Sequence, residues 1–383
     1  MNPWPTKKLG EVVVDLEKER IFTLDSDTFY TEPTISSKEH KILPKRTAKG
    51  NEFKVKRRIK LKPGDLVISK LHTQNGLFAY ADREYASTTT FIPLKVKENL
   101  IDKKFLFYSL RIFIKKLGSV DTVGRETYSK EQILSLKIPV PPLPIQQKIV
   151  ERLDAIKKAQ ELNDKQIELA EELFQSLLHR ELDPKGKKWE IKKLGEYLVQ
   201  FDRGISWSHK NERGSVAVLR IPNIEEGQIN LNELKYIDVD GENGKLQKND
   251  IVMVASNGNP DLVGRSALVT EREEGMRFAS FLTRLKFDDT KLLPQYAHLF
   301  LLTLTFKREL RRKIATTSGI YNLRKEYIEN IKISLPPLET QQKIVEKLSA
   351  VQEYKKKLLE RKQKLQELFE SVLDKSFKGE LAE

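Results

Sequence analysis

One phrase of eleven residues occurs twice, and a chain built that way folds as two similar units rather than one. Pro141-Pro142-Leu143-Pro144-Ile145-Gln146-Gln147-Lys148-Ile149-Val150-Glu151 returns as Pro336-Pro337-Leu338-Glu339-Thr340-Gln341-Gln342-Lys343-Ile344-Val345-Glu346. At the same offset, Leu173-Phe174 with Ser176 return as Leu368-Phe369 with Ser371, and Thr122-Val123-Gly124 answers to Thr317-Ser318-Gly319. Nearer the start, Trp4 and Lys7-Lys8-Leu9-Gly10-Glu11 come back as Trp189 and Lys192-Lys193-Leu194-Gly195-Glu196. The offset there is 185 against 195, so the second unit is ten residues longer internally.

After each Pro-Pro-Leu the chain runs for about forty residues without glycine or, past Pro144, proline; proline suits a helix's first turn. Ile149, Leu153, Ile156, Gln160, Asn163, Ile167, Ala170, Phe174 and Leu177 fall at alternating steps of four and three. So do Ile344, Leu348, Val351, Lys355, Leu358, Lys362, Leu365, Phe369 and Val372. This is the spacing of a coiled-coil seam, with polar interruptions at Gln160, Asn163, Lys355 and Lys362 that weaken the seam but specify register. Helices exposing such stripes singly would aggregate, so the two are expected to pack on each other. Connectivity favours an antiparallel pair about 55–60 Å long, with a pseudo-two-fold relation between the domains.

The expected plan is a first domain over 1–142, a spacer helix over 143–183, a second domain over 184–337 and a second spacer helix over 338–383. Each domain reads as α/β of the mixed α+β type, without βαβ alternation. An alternating strand is predicted over 53–59, then a Pro63-Gly64 turn into the buried run 65–68, with 246–250 entering 251–254 as its counterpart. Helices are predicted near 103–116 and 294–313, and closing strands over 136–140 and 331–335.

Composition narrows the function. The apolar runs, 299–302 among them, are far shorter than the roughly 20 residues a bilayer requires, and the first residues show no signal peptide. With no cysteine, there is no disulfide, iron–sulfur or thiolate zinc site. The cytosol is the expected compartment. Lys plus Arg is 69 against 55 Asp plus Glu, net +14. By segment the balance is +10 over 1–142, −3 over 143–183, +6 over 184–337 and +1 over 338–383. Two basic blocks suit a polyanionic partner, although basic surface also serves solubility.

Catalytic constellations are missing. There is no phosphate-binding Gly-rich loop and no dinucleotide turn. The five histidines, His40, His72, His179, His209 and His298, have no metal-ligand spacing. Asn259-Pro260-Asp261 only approaches an amino-methyltransferase motif, and Asp65 with Lys70 only approaches a nuclease pair; both read better as turns. No catalytic residue, metal ligand or cofactor of the chain's own is expected.

Residue types suited to DNA are plentiful: cations for phosphates, and Arg, Asn, Gln, Ser or Thr on protruding loops for bases. The first domain offers Lys54, Lys56, Arg57, Arg58, Lys60 and Lys62, then Lys70, Gln74 and Asn75 in a polar loop, and later Arg125 and Tyr128. The second offers Arg203, Asn257, Asn259, Arg265, Tyr321, Asn322 and Arg324, with Lys307, Arg308, Arg311, Arg312 and Lys313 between. Corresponding loops differ in residues, as two readers of different base sequences would.

The doubled Pro-Pro-Leu-x-x-Gln-Gln-Lys-Ile-Val-Glu entry to a long helix, the Trp…Lys-Leu-Gly-Glu openings and the segment Gly64-Asp65-Leu66-Val67-Ile68-Ser69 together resemble the specificity (S) subunit of Type I restriction–modification systems. The likeness covers the whole chain. It implies two target-recognition domains, each reading half of a bipartite site in double-stranded DNA, and helices that space them and dock two methyltransferase (M) subunits. Restriction (R) subunits would join for ATP-driven cleavage. S-adenosylmethionine, ATP and magnesium would act on those partners only, in a prokaryotic cytoplasm and, when DNA is bound, at the nucleoid. Asn249 stands where the first unit has Gly64, and Ala255 where it has Lys70. The rival expectations are a coiled-coil scaffold binding DNA without sequence preference, an unrecognised nuclease or methyltransferase, and a subunit of a combined cutting-and-methylating system.

Overall fold

The structure, a computed structural model, describes residues 4–117, 120–122, 125–207, 214–225, 227–314 and 319–380; for 120–122 and 125–126 only the backbone is described. It divides into two compact units, Met1–Asp164 with Glu360–Glu383, and Lys165–Leu359.

In the first unit β1 (Thr6–Lys8) leads into α1 (Leu9–Val12), β2 (Val13–Asp15), β3 (Ile21–Thr23) and the long hairpin β4 (Phe29–Ser36) and β5 (Lys41–Lys49). Then come β6 (Arg57–Leu61), β7 (Leu66–Ser69), β8 (Phe78–Tyr80), β9 (Tyr85–Ser87) and β10 (Phe91–Val96). They are followed by α2 (Lys103–Phe113), β11 (Val120–Thr122), β12 (Arg125–Thr127), α3 (Lys130–Leu134), β13 (Lys137–Pro139) and α4 (Leu143–Leu182). The main sheet runs β2-β10-β7-β8-β5-β4, and a smaller one runs β3-β6-β9. β7 is apolar on both faces and wholly buried, as a central strand with two covered faces must be.

The second unit repeats the plan with β14 (Glu190–Lys193), β15 (Leu198–Arg203), β16 (Val216–Leu219), β17 (Lys235–Ile237), β18 (Ile251–Val254), β19 (Ser256–Asn257), β20 (Ser266–Leu268), β21 (Arg277–Phe278) and β22 (Leu282–Phe287). It continues through α5 (Pro294–Leu301), α6 (Leu304–Lys313), β23 (Tyr321–Asn322), α7 (Lys325–Glu329), β24 (Lys332–Leu335) and α8 (Leu338–Lys378). Its main sheet runs β15-β22-β18-β20, antiparallel throughout.

The repeated phrases have repeated structural causes. In each opening the glutamate of Leu-Gly-Glu folds back on the helical turn: Glu11 Oε1 accepts from Lys8 N–H at 3.3 Å, and Glu196 Oε1 from Lys193 N–H at 3.0 Å. Asp65 accepts from Lys62 N–H at 2.7 Å and Asp250 from Gln247 N–H at 2.9 Å, closing the same turn. Gly64 there has φ +86° and Asn249 +73°, a left-handed conformation that asparagine tolerates better than most side chains. The first glutamine of Gln-Gln is a clasp. Gln146, fully buried, donates to the carbonyls of Leu100 and Pro141 and accepts from Asp102 N–H. Gln341 does the same with Lys291, Pro336 and Leu293 N–H.

Several elements differ from the sequence expectation. The strand predicted over 53–59 begins only at Arg57, because Phe53 turns inward beneath the guanidiniums of Arg46 and Arg58. Residues 246–249 form the turn before β18 rather than a strand. The helix expected over 294–313 is two, broken where Thr303 caps α6 by accepting from Phe306 N–H at 3.2 Å.

The long helices pair antiparallel, as each unit shows within itself. In the first, Lys362 meets Asp164 at 2.9 Å and Gln160 donates to the Leu365 carbonyl at 3.1 Å. In the second, Lys355 meets Glu171 at 2.5 Å and Lys347 meets Glu181 at 2.6 Å. The polar interruptions of the seam are thus cross-helix pairs, and Asn163 is almost fully buried among them. Ile149, Leu153, Phe174, Leu177, Ile344, Leu348, Leu358 and Phe369 are buried, and Ile156, Ile167, Val351, Leu365 and Val372 half-buried. The helices also complete the cores: Phe369, Leu373 and Phe377 pack into the first, and Phe174, Leu177, Ile344 and Leu348 into the second.

Candidate nucleic-acid interface

Each unit builds a short edge by the same main-chain bond. In the first, Tyr128 N–H donates to the Lys70 carbonyl at 2.8 Å, and Leu71 bridges Thr127 at the end of β12. In the second, Leu323 N–H donates to the Ala255 carbonyl at 2.7 Å, and β19 pairs with β23 so that Ser256 faces Asn322 and Asn257 faces Tyr321. Tyr128 and Leu323 are the buried anchors of the two edges. Tyr128 is therefore a core residue, not the surface contact expected of it.

The second edge gathers most of the residues chosen for it. Asn257 accepts from Asn259 N–H at 2.8 Å and Asn259 from Asp261 N–H at 2.9 Å. These bonds use the Oδ1 atoms in successive turns, so Asn259-Pro260-Asp261 is a turn, as its sequence suggested. Asn322 is exposed. Arg203 donates to the Leu323 carbonyl at 2.9 Å, and its burial depresses the guanidinium pKa; it supports the edge. Arg311 lies over the Tyr321 ring at 5.9 Å and pairs with Asp261 at 2.8 Å. Arg265 stands half-buried beside Asp261, while Arg324 covers the Tyr327 ring.

The first edge is arranged differently. Asn75 is exposed and Gln74 half-buried, its Oε1 without a hydrogen bond among the described residues. Lys70 Nζ is tied to Glu17 at 2.7 Å and to the Thr89 carbonyl. Glu17 also meets Lys130, which bonds Asp15 at 2.7 Å. Burial is the largest single influence and raises the Asp15 carboxyl, but the hydrogen bonds from Lys130 and the Glu17 N–H and the charges of Lys130 and Lys70 together outweigh it and hold the group below its ordinary value. Asp65 pairs instead with Arg20 at 3.6 Å, so Asp65 and Lys70 have separate partners and form no nuclease-like pair. The backbone of Arg125 lies in β12, paired with Thr122; its side chain lies outside the described residues, as do His209 and residues 316–318 of the second loop.

The basic run after Phe53 divides into paired and exposed cations. Arg58 is buried, pairs with Glu32 at 3.0 Å and lies 4.9 Å from the Phe53 ring centre. Lys56 donates to the carbonyls of Gly50 and Asn51. Both hold the domain together and do not face solvent as free cations. Lys54 and Arg57 are exposed and, among the described residues, without an ion pair. Among the described residues no cluster of three His, Asp or Glu side chains is placed to hold a metal, and no helix is long and apolar enough to cross a membrane.

The doubled edge on doubled domains, joined to paired helices, has counterparts. The family model described as Type I restriction modification DNA specificity domain matches residues 1–172 and again 186–368. The chain belongs to this family. As a type I specificity subunit it carries two recognition domains in tandem. The MjaVIII specificity subunit of Methanocaldococcus jannaschii is 26% identical over 315 residues, 75% of this chain and 71% of its own length. The EcoKI specificity subunit of Escherichia coli is 24% identical over 358 residues, 85% and 77% of the respective chains. A chain solved in work on complex assembly and conformational transition of the type I restriction–modification system matches with a TM-score of 0.66 at 18% identity, over 99% of this chain and 98% of that one. The HsdS subunit of Thermoanaerobacter tengcongensis matches at 0.53 and 20% identity, over 99% and 97%. These likenesses show the specificity-subunit fold.

Proposed function

We propose that each recognition domain reads one half of a bipartite site in double-stranded DNA through its edge, and that the helix pair docks two methyltransferase subunits. The restriction subunits join them in the full complex. In this reading S-adenosylmethionine, ATP and magnesium work on those partners, the chain contributes recognition without catalysis, and the assembly acts in the cytoplasm, at the nucleoid when DNA is bound.

One observation carries the reading. The bonds Tyr128 to Lys70 and Leu323 to Ala255 hold two edges on one main-chain frame, while the side chains that reach the surface differ: exposed Asn75 on one, half-buried Asn257 and exposed Asn322 on the other. A shared frame with different donors and acceptors is what two half-site readers need, since base identity is read by side chains on a fixed backbone. Co-expression with a methyltransferase subunit, followed by mapping of methylated adenines, tests it. A two-part asymmetric motif is expected. Methylation without sequence preference would favour a bridging scaffold instead.

A further inference from the structure

A cleft of about 510 Å³ lies beside the second edge, between α6 and the turn 260–265. Its floor is apolar: Val263, Phe306, Leu310 and Ile314 are buried. Gly264 makes the approach possible. At φ +89° a Cβ would sit 2.3 Å from Leu310 Cδ2, so only glycine lets the turn close on the helix. The rim is cationic, with Arg265, Lys307, Arg308, Arg311 and Arg312. Its one acid, Asp261, is already paired with Arg311. Arg308 and Arg312 are exposed, and among the described residues their side chains have neither ion pair nor hydrogen bond.

We infer that this cleft is the phosphate anchor of the second recognition domain, holding a sugar–phosphate stretch of the duplex beside the half-site that the domain reads. The inference rests on the reading of the chain as a DNA-contacting subunit. Unpaired guanidiniums over an apolar floor suit an alternation of phosphate and deoxyribose, the first bonded by arginine forks and the second packed by its C–H faces. Arg311 links cleft and edge, since the same guanidinium meets Asp261 on the rim and Tyr321 in β23. The first domain has another arrangement: α2 is followed by a single turn, Ile114–Lys116, with no second helix there among the described residues.

The test uses the full chain co-purified with its methyltransferase subunit, as native protein, Arg308→Ala/Arg312→Ala, and Arg308→Lys/Arg312→Lys. Binding is measured to a duplex carrying the site and to random duplex across a salt series. The alanine pair is expected to weaken both by the same factor, and to lower the slope of log affinity against log salt by about 0.9 for each phosphate that is no longer neutralised. Base preference stays unchanged, and the lysine pair keeps most of the slope. Neutral methylphosphonates placed singly beside the second half-site should weaken the native protein at one or two positions and the alanine pair at neither. Native binding by the alanine pair at every salt concentration would overturn the inference. So would a changed methylation motif, which would make the arginines base readers, or loss of methyltransferase assembly with DNA binding intact, which would make the cleft a protein-binding surface. Absence of sequence preference in the native protein is a separate result and would overturn the underlying reading.

Discussion

Asn257 faces Tyr321 across the two-residue ladder of β19 and β23, a register held one residue further along by the bond from Leu323 to Ala255. The Oδ1 of Asn257 is engaged by Asn259 N–H, which leaves its amide N–H groups as the donors available to a base edge. Asn257→Ala or Asn322→Ala is therefore expected to relax discrimination at a position in one half-site by about 1–3 kcal/mol. The other half should stay intact. Sequencing of methylated sites would show it, and relaxation in both halves would contradict the assignment of one edge to one half-site.

Arg57 and Arg58 are neighbours with opposite roles. Arg58→Ala breaks a buried pair with Glu32 and a ring contact with Phe53, a change expected to destabilise by about 3 kcal/mol. Arg57→Ala removes an exposed cation and should leave unfolding untouched while lowering the salt dependence of DNA binding. Denaturant unfolding and salt titration of the two variants separate these outcomes.

Gln341→Ala removes three hydrogen bonds from a fully buried site and strands the carbonyls of Lys291 and Pro336 with the N–H of Leu293. A loss of about 3 kcal/mol is expected, and Gln146→Ala should act likewise in the first unit. An unshifted melting curve would show that the clasp does not stabilise the fold.

His298 is buried in α5, and burial pushes its pKa from 6.5 down to about 4. The unfolded chain takes up the proton near 6.5 and the folded chain only near 4. Stability is therefore fully present above 6.5 and falls as the pH drops toward 4, by up to about 1.4 kcal/mol per unit. His298→Phe should flatten that part of the profile, and an unchanged profile would mean that other groups carry it.

The architecture is legible in the sequence because its signals are local. A seven-residue period specifies a long helix whatever its neighbours, and Gln160, Lys355 and Lys362 stand out as interruptions whatever their partners. The repeat also locates the clasp and the turn aspartates, though their role is set by the fold: Gln146 reads the same in sequence whether it faces solvent or three peptide groups. The site is half legible. Asn257, Tyr321 and Asn322 are 64 or 65 residues apart at most and meet through a ladder that residue types alone do not announce. Arg58 misleads for a definite reason, since a run of cations looks uniform until the fold sets Glu32 of β4 and the Phe53 ring against one of them. Tyr128 misleads in the same way, its burial being set by packing far away in the chain.

Among the described residues the clasp glutamines hold only peptide groups, two carbonyls and one N–H each, and no side chain of the domain they grip. Such a grip is indifferent to amino-acid identity. A replacement head that keeps this chain trace, and the core side chains that meet the helices, seats in the same socket whatever its outer surface. New specificities thus become available by grafting, while the joint that every version shares is left as it was.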